Sequence, residues 1–513
     1  MQNSEKNKRV IKNTLFLYIR MILVLGISLY TSRLVLDALG IEDYGIYNVV
    51  AGIVTMMSFM TGAMSASTQR FLSYEHGSAT NRVKDIFKMS VNIHAVIFIL
   101  VVVLMESIGL WFLNNKLNIP AERLYAANWA YQCALISFGF SIMGIPYVAS
   151  IISNEKMGAF AYIGVLEVSL KLIVAFTLYL SLGDNLVVYS ILIVFSSAFI
   201  WSLYFLFCKY KIVDTKYALF WDMDLFKKLL GFTGWNLIGN VAVVTMNQGL
   251  NILLNIFFGP ALNASRAISN QVNMAIRSFS SNLQMSMNPL ITKSYASGEH
   301  EYMQSLILKG SKYSFFLLLM LTLPVLLQTE QILSIWLGQL PEKVIIFCQL
   351  SLVDSLVISL SGTLIAGAQA NGNIKIYQIV TGGVLLLNLP LSYLLFIYGA
   401  KPEVAMALMV VISTIAFTVR LLFMRKMIGL SIRAYCRVVL SRVFLVALFS
   451  FLIMWYLDSL MGNTFLYLIV ESFTSMFVVI STIWLLGLEH AERKFILNKL
   501  SAFYSKLKVK SSS

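Results

Sequence analysis

The sequence predicts an all-α polytopic membrane protein with about 14 transmembrane helices. Three observations carry this: an apolar composition, apolar residues gathered in long blocks, and an uneven placement of Lys and Arg. Of 513 residues, 58% are hydrophobic and 12% charged, whereas a soluble domain averages about 25% charged residues. A soluble chain of this composition would expose large apolar patches. A block of about 20 apolar residues instead spans the bilayer core as a helix with every backbone group satisfied internally.

In order, the blocks fall near 13–36, 44–66, 87–113, 124–149, 160–182, 187–208, 231–258, 264–287, 311–337, 344–368, 375–398, 403–424, 437–458 and 464–487. Turn formers fill the shortest gaps, as at Gly183-Asp184-Asn185 and Gly259-Pro260. Pro146, Pro324 and Pro390 lie inside blocks, where they are expected to kink the helix.

Orientation follows from the basic residues. With the N-terminus inside, four of the 39 Lys and Arg fall in external segments (Lys116, Arg123, Lys343, Lys401). Seven lie well inside helices (Arg20, Arg33, Lys171, Arg266, Arg277, Arg420, Arg442), and the other 28 are in cytoplasmic segments, counting with them the four at the first or second position of a block. Both termini are therefore expected in the cytoplasm, and the +15 net charge has an explanation other than nucleic-acid binding. The basic residues are scattered over many short loops, not gathered into one patch. The first block is too long for a signal-peptide core and no small-residue cleavage site follows it, so it is expected to be retained.

The same reading narrows the chemistry. Cys133, Cys208, Cys348 and Cys436 are far apart in sequence and suggest neither a disulfide framework nor a zinc site. The four His are equally scattered, so no metal is expected. No Walker or Gly-rich phosphate loop occurs, no cofactor is implied, and no loop is long enough to be a catalytic module. The expectation is a transporter, not an enzyme.

The two halves resemble each other weakly. Leu39-Gly40 closes the first block and Phe258-Gly259 the seventh; Ser73-Tyr74-Glu75-His76-Gly77 follows the second block and Ser294-Tyr295-Ala296-Ser297-Gly298-Glu299-His300 the eighth. Both copies start on the same side, which makes a parallel six-helix repeat, a common origin of transporters. The expected organisation is a six-helix lobe over 1–210, a second over 211–430, two additional helices over 431–487 and a basic cytoplasmic tail over 488–513.

Polar residues in spanning helices are costly, so their positions are informative. At 100° per residue, Asn270, Asn273, Arg277, Ser280, Ser281 and Gln284 all lie within about 60° of Arg266, one stripe along the eighth span. In the seventh, Asn236, Asn240, Asn247 and Asn251 share a face. In the second, Tyr47, Ser58, Thr61 and Ser65 do. The first span adds Arg20 in its cytoplasmic third and Arg33 near its outer end. Isolated Ser and Thr fit the simpler role of hydrogen-bonding helices together. Arg at mid-bilayer needs water or a partner. A cation-lined aqueous cavity answers this, and so would a carboxylate from another helix. Glu167 and Lys171, four apart, can neutralise each other. Glu106, Asp354 and Glu471 are candidate ion-coupling acids, with structural acids as the alternative. His94 reads as a packing residue, while Arg420 and Arg442 can snorkel to the interface.

The stretch Thr31-Ser32-Arg33-Leu34 through Leu39-Gly40, then Asp43-Tyr44-Gly45-Ile46-Tyr47 and Gln69-Arg70-Phe71-Leu72, resembles the bacterial Wzx-type polysaccharide (O-antigen) flippases. These belong to the MOP exporter superfamily, with the MATE exporters and lipid II flippases. The match is strongest over residues 10–90. The resemblance implies two pseudo-symmetric six-helix MATE-like lobes facing each other in a V, plus two C-terminal helices. It implies a bacterial inner-membrane protein that moves undecaprenyl-pyrophosphate-linked oligosaccharide by alternating access for O-antigen, capsule or lipopolysaccharide biosynthesis. Its partners would be that lipid-linked glycan, membrane lipids and the polysaccharide polymerase machinery. Related flippases place cations on helices 1, 2 and 8 of a central cavity. Arg20, Arg33, Arg266 and Arg277 occupy such helices as candidate substrate-binding residues, while helix 2 here has no internal Arg. The polar residues Asn236, Asn240, Asn247, Asn251, Asn270, Asn273, Gln284, Tyr47 and Ser58 are the candidate lining.

Three other activities compete with this one. A lipid II-type flippase is a near relative. A MATE-type drug or cation antiporter would carry an acid in its first helix, where this chain has arginines. A membrane glycan polymerase usually needs large external loops.

Overall fold

The computed structural model describes residues 2–78, 80, 82–117, 119–181, 183–458, 465–494 and 497–498, and among these it is helical with no strand. The first part of the chain forms α1 Gln2–Thr55, α2 Ser58–Gly77, α3 Val83–Leu104, α4 Leu110–Lys116, α5 Leu124–Ser153, α6 Met157–Leu178 and α7 Asn185–Lys211. Next come α8 Met223–Phe258, α9 Pro260–Ala296, α10 His300–Leu327, α11 Thr329–Leu337, α12 Val344–Ser359 and α13 Gly362–Asn371. The chain continues through α14 Lys375–Leu386, α15 Asn388–Ile397, α16 Glu403–Ile428, α17 Ile432–Tyr435, α18 Ser441–Asp458 and α19 Phe465–Thr482.

Twelve helical stretches among the described residues are long and apolar enough to cross a membrane, and the pair Glu42–Val54 and Ser58–Gly77, bent by 48°, makes a thirteenth. The remaining long helix, α9, spans 37 residues but is too polar to pass on composition, because of the stripe that runs through it. These helices account for all fourteen expected blocks. Their outward faces carry large apolar side chains, such as Ile99 at 61% and Phe477 at 70% exposure, as a lipid-facing surface requires. α5 is the interior helix of its bundle: 67% of its apolar window is buried, against 17% for α7. Phe87, Tyr147 and Cys208 pack at the centre of that core.

Backbone breaks fall where the chemistry demands them. Gly40 (φ 77°) interrupts α1 and Gly259 (φ 85°) separates α8 from α9. Both sit in the left-handed region where a Cβ is strained, at matching points of the suggested repeat. Pro390 has no N–H to offer the carbonyl of Leu386, and the helix breaks there, between α14 and α15. Pro324 lies one residue before the last turn of α10. Pro146 sits within an α5 that continues to Ser153.

By contacts the chain groups into two compact units. One contains Met1–Asn247, Met285–Met303 and Ala366–Leu386; the other contains Gln248–Gln284, Gln304–Ile365 and Leu387–Ser513. The boundary falls inside α8, α9, α10 and α13, and between α14 and α15. Within the first unit, Thr14 and Ser286 hydroxyls are 2.8 Å apart. The buried Glu155 takes Lys293 at 2.6 Å and Arg9 at 3.5 Å. Arg70 donates to the carbonyls of Gln369 (3.0 Å) and Ala370 (3.2 Å), with Phe71, Tyr74 and Phe232 around its guanidinium. Arg123 bridges Asp43 and Asp184. Two residues of the stretch that carries the family resemblance, Asp43 and Arg70, are thus structural ties.

Within the second unit, Lys312 is fully buried and pairs with Glu492 at 2.8 Å, which also accepts from the Tyr313 hydroxyl at 2.7 Å. Arg442 reaches Glu489 at 3.5 Å and the carbonyl of Gly487 at 3.3 Å. The segment after α19 is thereby fastened to α10 and to the start of α18. The basic tail beyond Asn498 lies outside the described residues.

Candidate functional site

In the first unit Arg20 is the in-membrane arginine that lines a cavity. Gly164 of α6 lets it lie close, because a Cβ there would overlap the Arg20 Nε. The guanidinium stacks over Phe160, 4.3 Å from the ring centroid. It faces a cavity of about 250 Å³ that is also lined by Glu167, Lys171, Trp201, Tyr204 and serines of α2, α5 and α7. Lys171 pairs with Glu167 at 2.7 Å, as their spacing predicts. Two cations face one carboxylate, so the pocket carries net positive charge. Lys171 also lines a neighbouring cavity of about 190 Å³, which includes Tyr44, Tyr47, Asn48 and Tyr189 together with Ser and Thr of α1. Tyr47 packs edge-on against Tyr189 at 4.8 Å. Arg33 is exposed and has no ion pair among the described residues.

In the second unit α9 holds two arginines in opposite situations. Arg266 is 1% exposed; its Nε donates to Asn251 Oδ1 at 2.5 Å and a terminal NH contacts Met406 Sδ at 3.0 Å. Arg277 is exposed and has no hydrogen bond or ion pair through its side chain among the described residues. Asp354, 4% exposed on α12, is hydrogen-bonded to Ser413 and lies within electrostatic reach of both arginines. The carboxylate from another helix, which the sequence left open, is therefore present. It is one acid against two arginines, with Arg420 a further cation near Arg277.

The polar stripe of α9 has two functions. Ser269 donates to the carbonyl of Phe347 at 2.8 Å and Asn273 to that of Ser351 at 2.5 Å. Gln284 donates to the carbonyl of Ser359 at 3.0 Å, and Gly362 leaves the room it needs. These groups bind α9 to α12. Asn270 and Arg277, on the same stripe, have no such side-chain bonds among the described residues. The asparagines of α8 divide likewise. Asn236, 4% exposed, accepts from Gln378 at 3.0 Å and Gln369 at 3.4 Å. Asn240 lies against Gly62, Asn247 donates to the carbonyl of Val243, and Asn251 holds Arg266. Ser58 is exposed at the start of α2.

The acids are dispersed. Glu106 sits in a π-helical turn between α3 and α4 and accepts from Gln132 at 3.2 Å. Glu471 is buried on α19. His94 is buried, with Nδ1 2.6 Å from the carbonyl of Ser90, a packing arrangement. Of these three acids, Asp354 is the one beside the α9 arginines among the described residues. Trp201 and Tyr204 escaped the sequence reading, although Ser197, Trp201 and Tyr204 follow the i, i+4, i+7 spacing of one helix face. No metal-ligating cluster occurs among the described residues.

No protein-family model matches the chain, and no curated protein is similar to it in sequence. Solved structures are. A MATE transporter in its bent conformation superposes with a TM-score of 0.73 at 14% identity, over 83% of this chain and 96% of that one. An outward-facing multidrug-resistance MATE transporter of the MOP superfamily gives 0.69 at 14%, over 82% and 96%. A MOP-superfamily transporter from Pyrococcus furiosus Vc1, described as having a binding pocket of reversed polarity that suggests a different function, gives 0.68 at 15%, over 83% and 96%. The chain has the all-helical fold of the MATE transporters of the MOP superfamily.

Proposed function

We propose that this chain is a membrane transporter for an anionic lipid-linked glycan, moving undecaprenyl-pyrophosphate-linked oligosaccharide across the bacterial inner membrane by alternating access. One observation carries the reading: arginines stand within membrane helices of both units, and each site has more cationic groups than carboxylates. A pyrophosphate crossing a low-dielectric core must exchange its hydration for other donors. Guanidinium groups supply charge-assisted, bidentate hydrogen bonds for that exchange. Arg277, exposed and with no side-chain hydrogen bond or ion pair among the described residues, is free to do so. Arg266, held by Asn251, sets the local positive charge. Tyr, Asn and Ser hydroxyl and amide groups suit sugar hydroxyls. The lipid tail need not leave the bilayer. The fold supports a carrier, and a structural neighbour described as having a pocket of reversed polarity indicates that this fold can host a binding site of altered charge.

A second reading is a MATE-type drug exporter, favoured by the multidrug-resistance transporter among the structural neighbours. The excess of cations in both sites repels the organic cations such a protein would carry.

Deletion of the gene, followed by lipid analysis, tests the proposal. Lipid-linked oligosaccharide should accumulate in the cytoplasmic leaflet while surface glycan is lost. Unchanged lipids and unchanged surface glycan would overturn it.

A further inference from the structure

From the Arg20 cavity we infer that the first unit holds a subsite for a single anionic sugar, a hexose bearing a carboxylate or phosphate. The inference rests on the glycan-transport reading and narrows it to a class of substrate. The cavity, at about 250 Å³, falls below the roughly 300 Å³ at which sites for drug-sized ligands begin. It therefore suits one ring, not an oligosaccharide. Its buried Arg20 Nε and Trp201 Nε1 have no hydrogen-bond partner among the described residues. Both are donors, and buried donors call for acceptors. The ammonium group of an organic cation offers none. An acidic sugar offers a charged oxygen pair for Arg20 and ring or hydroxyl oxygens for the indole.

The walls fit the same ligand. Trp201 stacks on Phe205 (centroids 5.7 Å apart, planes at 19°) and meets Phe140 at 5.9 Å, so its ring is fixed and presents a flat apolar surface to a pyranose. Glu167, held by Lys171 at 2.7 Å, supplies a carboxylate oxygen as an acceptor for sugar hydroxyls. Lys171 adds the second cation. The adjoining cavity, rich in tyrosine and hydroxyl groups, is uncharged apart from the shared Lys171 and suits a neutral neighbouring sugar.

The test uses the purified full-length chain in detergent and measures saturable binding by calorimetry. The probes are glucuronate, glucose 1-phosphate, glucose and glucosamine. Glucuronate or glucose 1-phosphate should bind at least tenfold more tightly than glucose, and glucosamine most weakly. Preference between the first two identifies the acidic group. Arg20→Gln and Trp201→Phe should each weaken the anionic sugar by about 10- to 100-fold, the effect of losing a charge-assisted hydrogen bond or a buried donor. Gly164→Ala, which displaces the guanidinium without removing it, should weaken it too. Thermal unfolding of each variant identifies any that fail to fold, and Trp201→Phe keeps the aromatic wall if Arg20→Gln does not survive. Equal binding of glucose and glucuronate, absence of saturable binding, or folded variants that bind normally would each overturn the subsite. These outcomes are distinct from failure of the transport reading. Leaflet accumulation on gene deletion together with no acidic-sugar binding would leave the transporter standing and remove the subsite alone.

Discussion

The two arginines of α9 should fail in different ways when removed. Arg266 is 1% exposed and its Nε satisfies Asn251 at 2.5 Å. Arg266→Ala deprives the half-buried Asn251 amide oxygen of a charged donor, which costs about 1–3 kcal/mol. The Arg266 charge also acts on the buried Asp354 through space, as that of Arg277 does. A loss of about 1–3 kcal/mol in stability is expected. Arg277 is exposed and has no side-chain partner of its own among the described residues. Arg277→Ala should change stability less than Arg266→Ala, by about 1 kcal/mol or below, because its tie to Asp354 acts through space. It should still lose the charge-assisted bonds to a phosphate, reducing substrate affinity by about 10- to 100-fold. The assays are thermal unfolding of the purified variants and surface glycan in cells that express them at equal levels. A destabilised Arg266→Ala beside a stable, non-transporting Arg277→Ala supports the division of roles. Arg277→Ala with normal glycan export, or as unstable as Arg266→Ala, refutes it.

Three further outcomes follow from the ties. Glu492→Ala strands the fully buried Lys312 and should cost about 3–5 kcal/mol; the double variant Lys312→Met/Glu492→Ala should recover most of it in thermal unfolding. Glu155→Gln should cost about 1.5–3 kcal/mol by leaving Lys293 without its charged acceptor, and should cost less in a Lys293→Met background. At the Arg123 tie, burial works against ionised Asp184, but the Arg123 side chain and the N–H groups of Val187 and Leu186 outweigh it and hold its carboxyl below the ordinary range. A lowered folded-state value means this tie stabilises the protein above the usual carboxylate range and weakens as pH falls through that range. Unfolding temperatures measured from neutral to acid pH should show that loss in the wild type and less of it in Arg123→Ala.

Much of the fold was legible because a bilayer imposes one rule on every span. Long apolar runs, bounded by Gly183-Asp184-Asn185 or Gly259-Pro260, could be little else, and the left-handed φ of Gly40 and Gly259 sits where Leu39-Gly40 and Phe258-Gly259 suggested a break. The polar stripe of α9 was equally visible, since helical periodicity alone places Arg266, Asn273, Arg277 and Gln284 on one side. Its internal division was not. Whether a polar group is spent on a neighbouring helix depends on what the neighbour presents, and the carbonyls of Phe347, Ser351 and Ser359 leave no trace in side-chain identity. Asp354 illustrates the same point. It was readable as a buried acid, but its position beside two arginines is a product of packing between α9 and α12. The Arg20 cavity was half legible. Glu167 and Lys171 pair as their spacing predicts, yet the room around them depends on Gly164 and on the rotation of α7 that brings Trp201 inward.

The central claim, carriage of an anionic lipid-linked glycan, is tested most directly in proteoliposomes. The purified chain is reconstituted with undecaprenyl-pyrophosphate-linked oligosaccharide, and the fraction of glycan accessible to a membrane-impermeant reagent is followed in time. Protein-dependent exchange between leaflets that is lost with Arg277→Ala is the predicted result. Leaflet exchange no faster than in protein-free vesicles, alongside uptake of an organic cation by the same preparation, would contradict it.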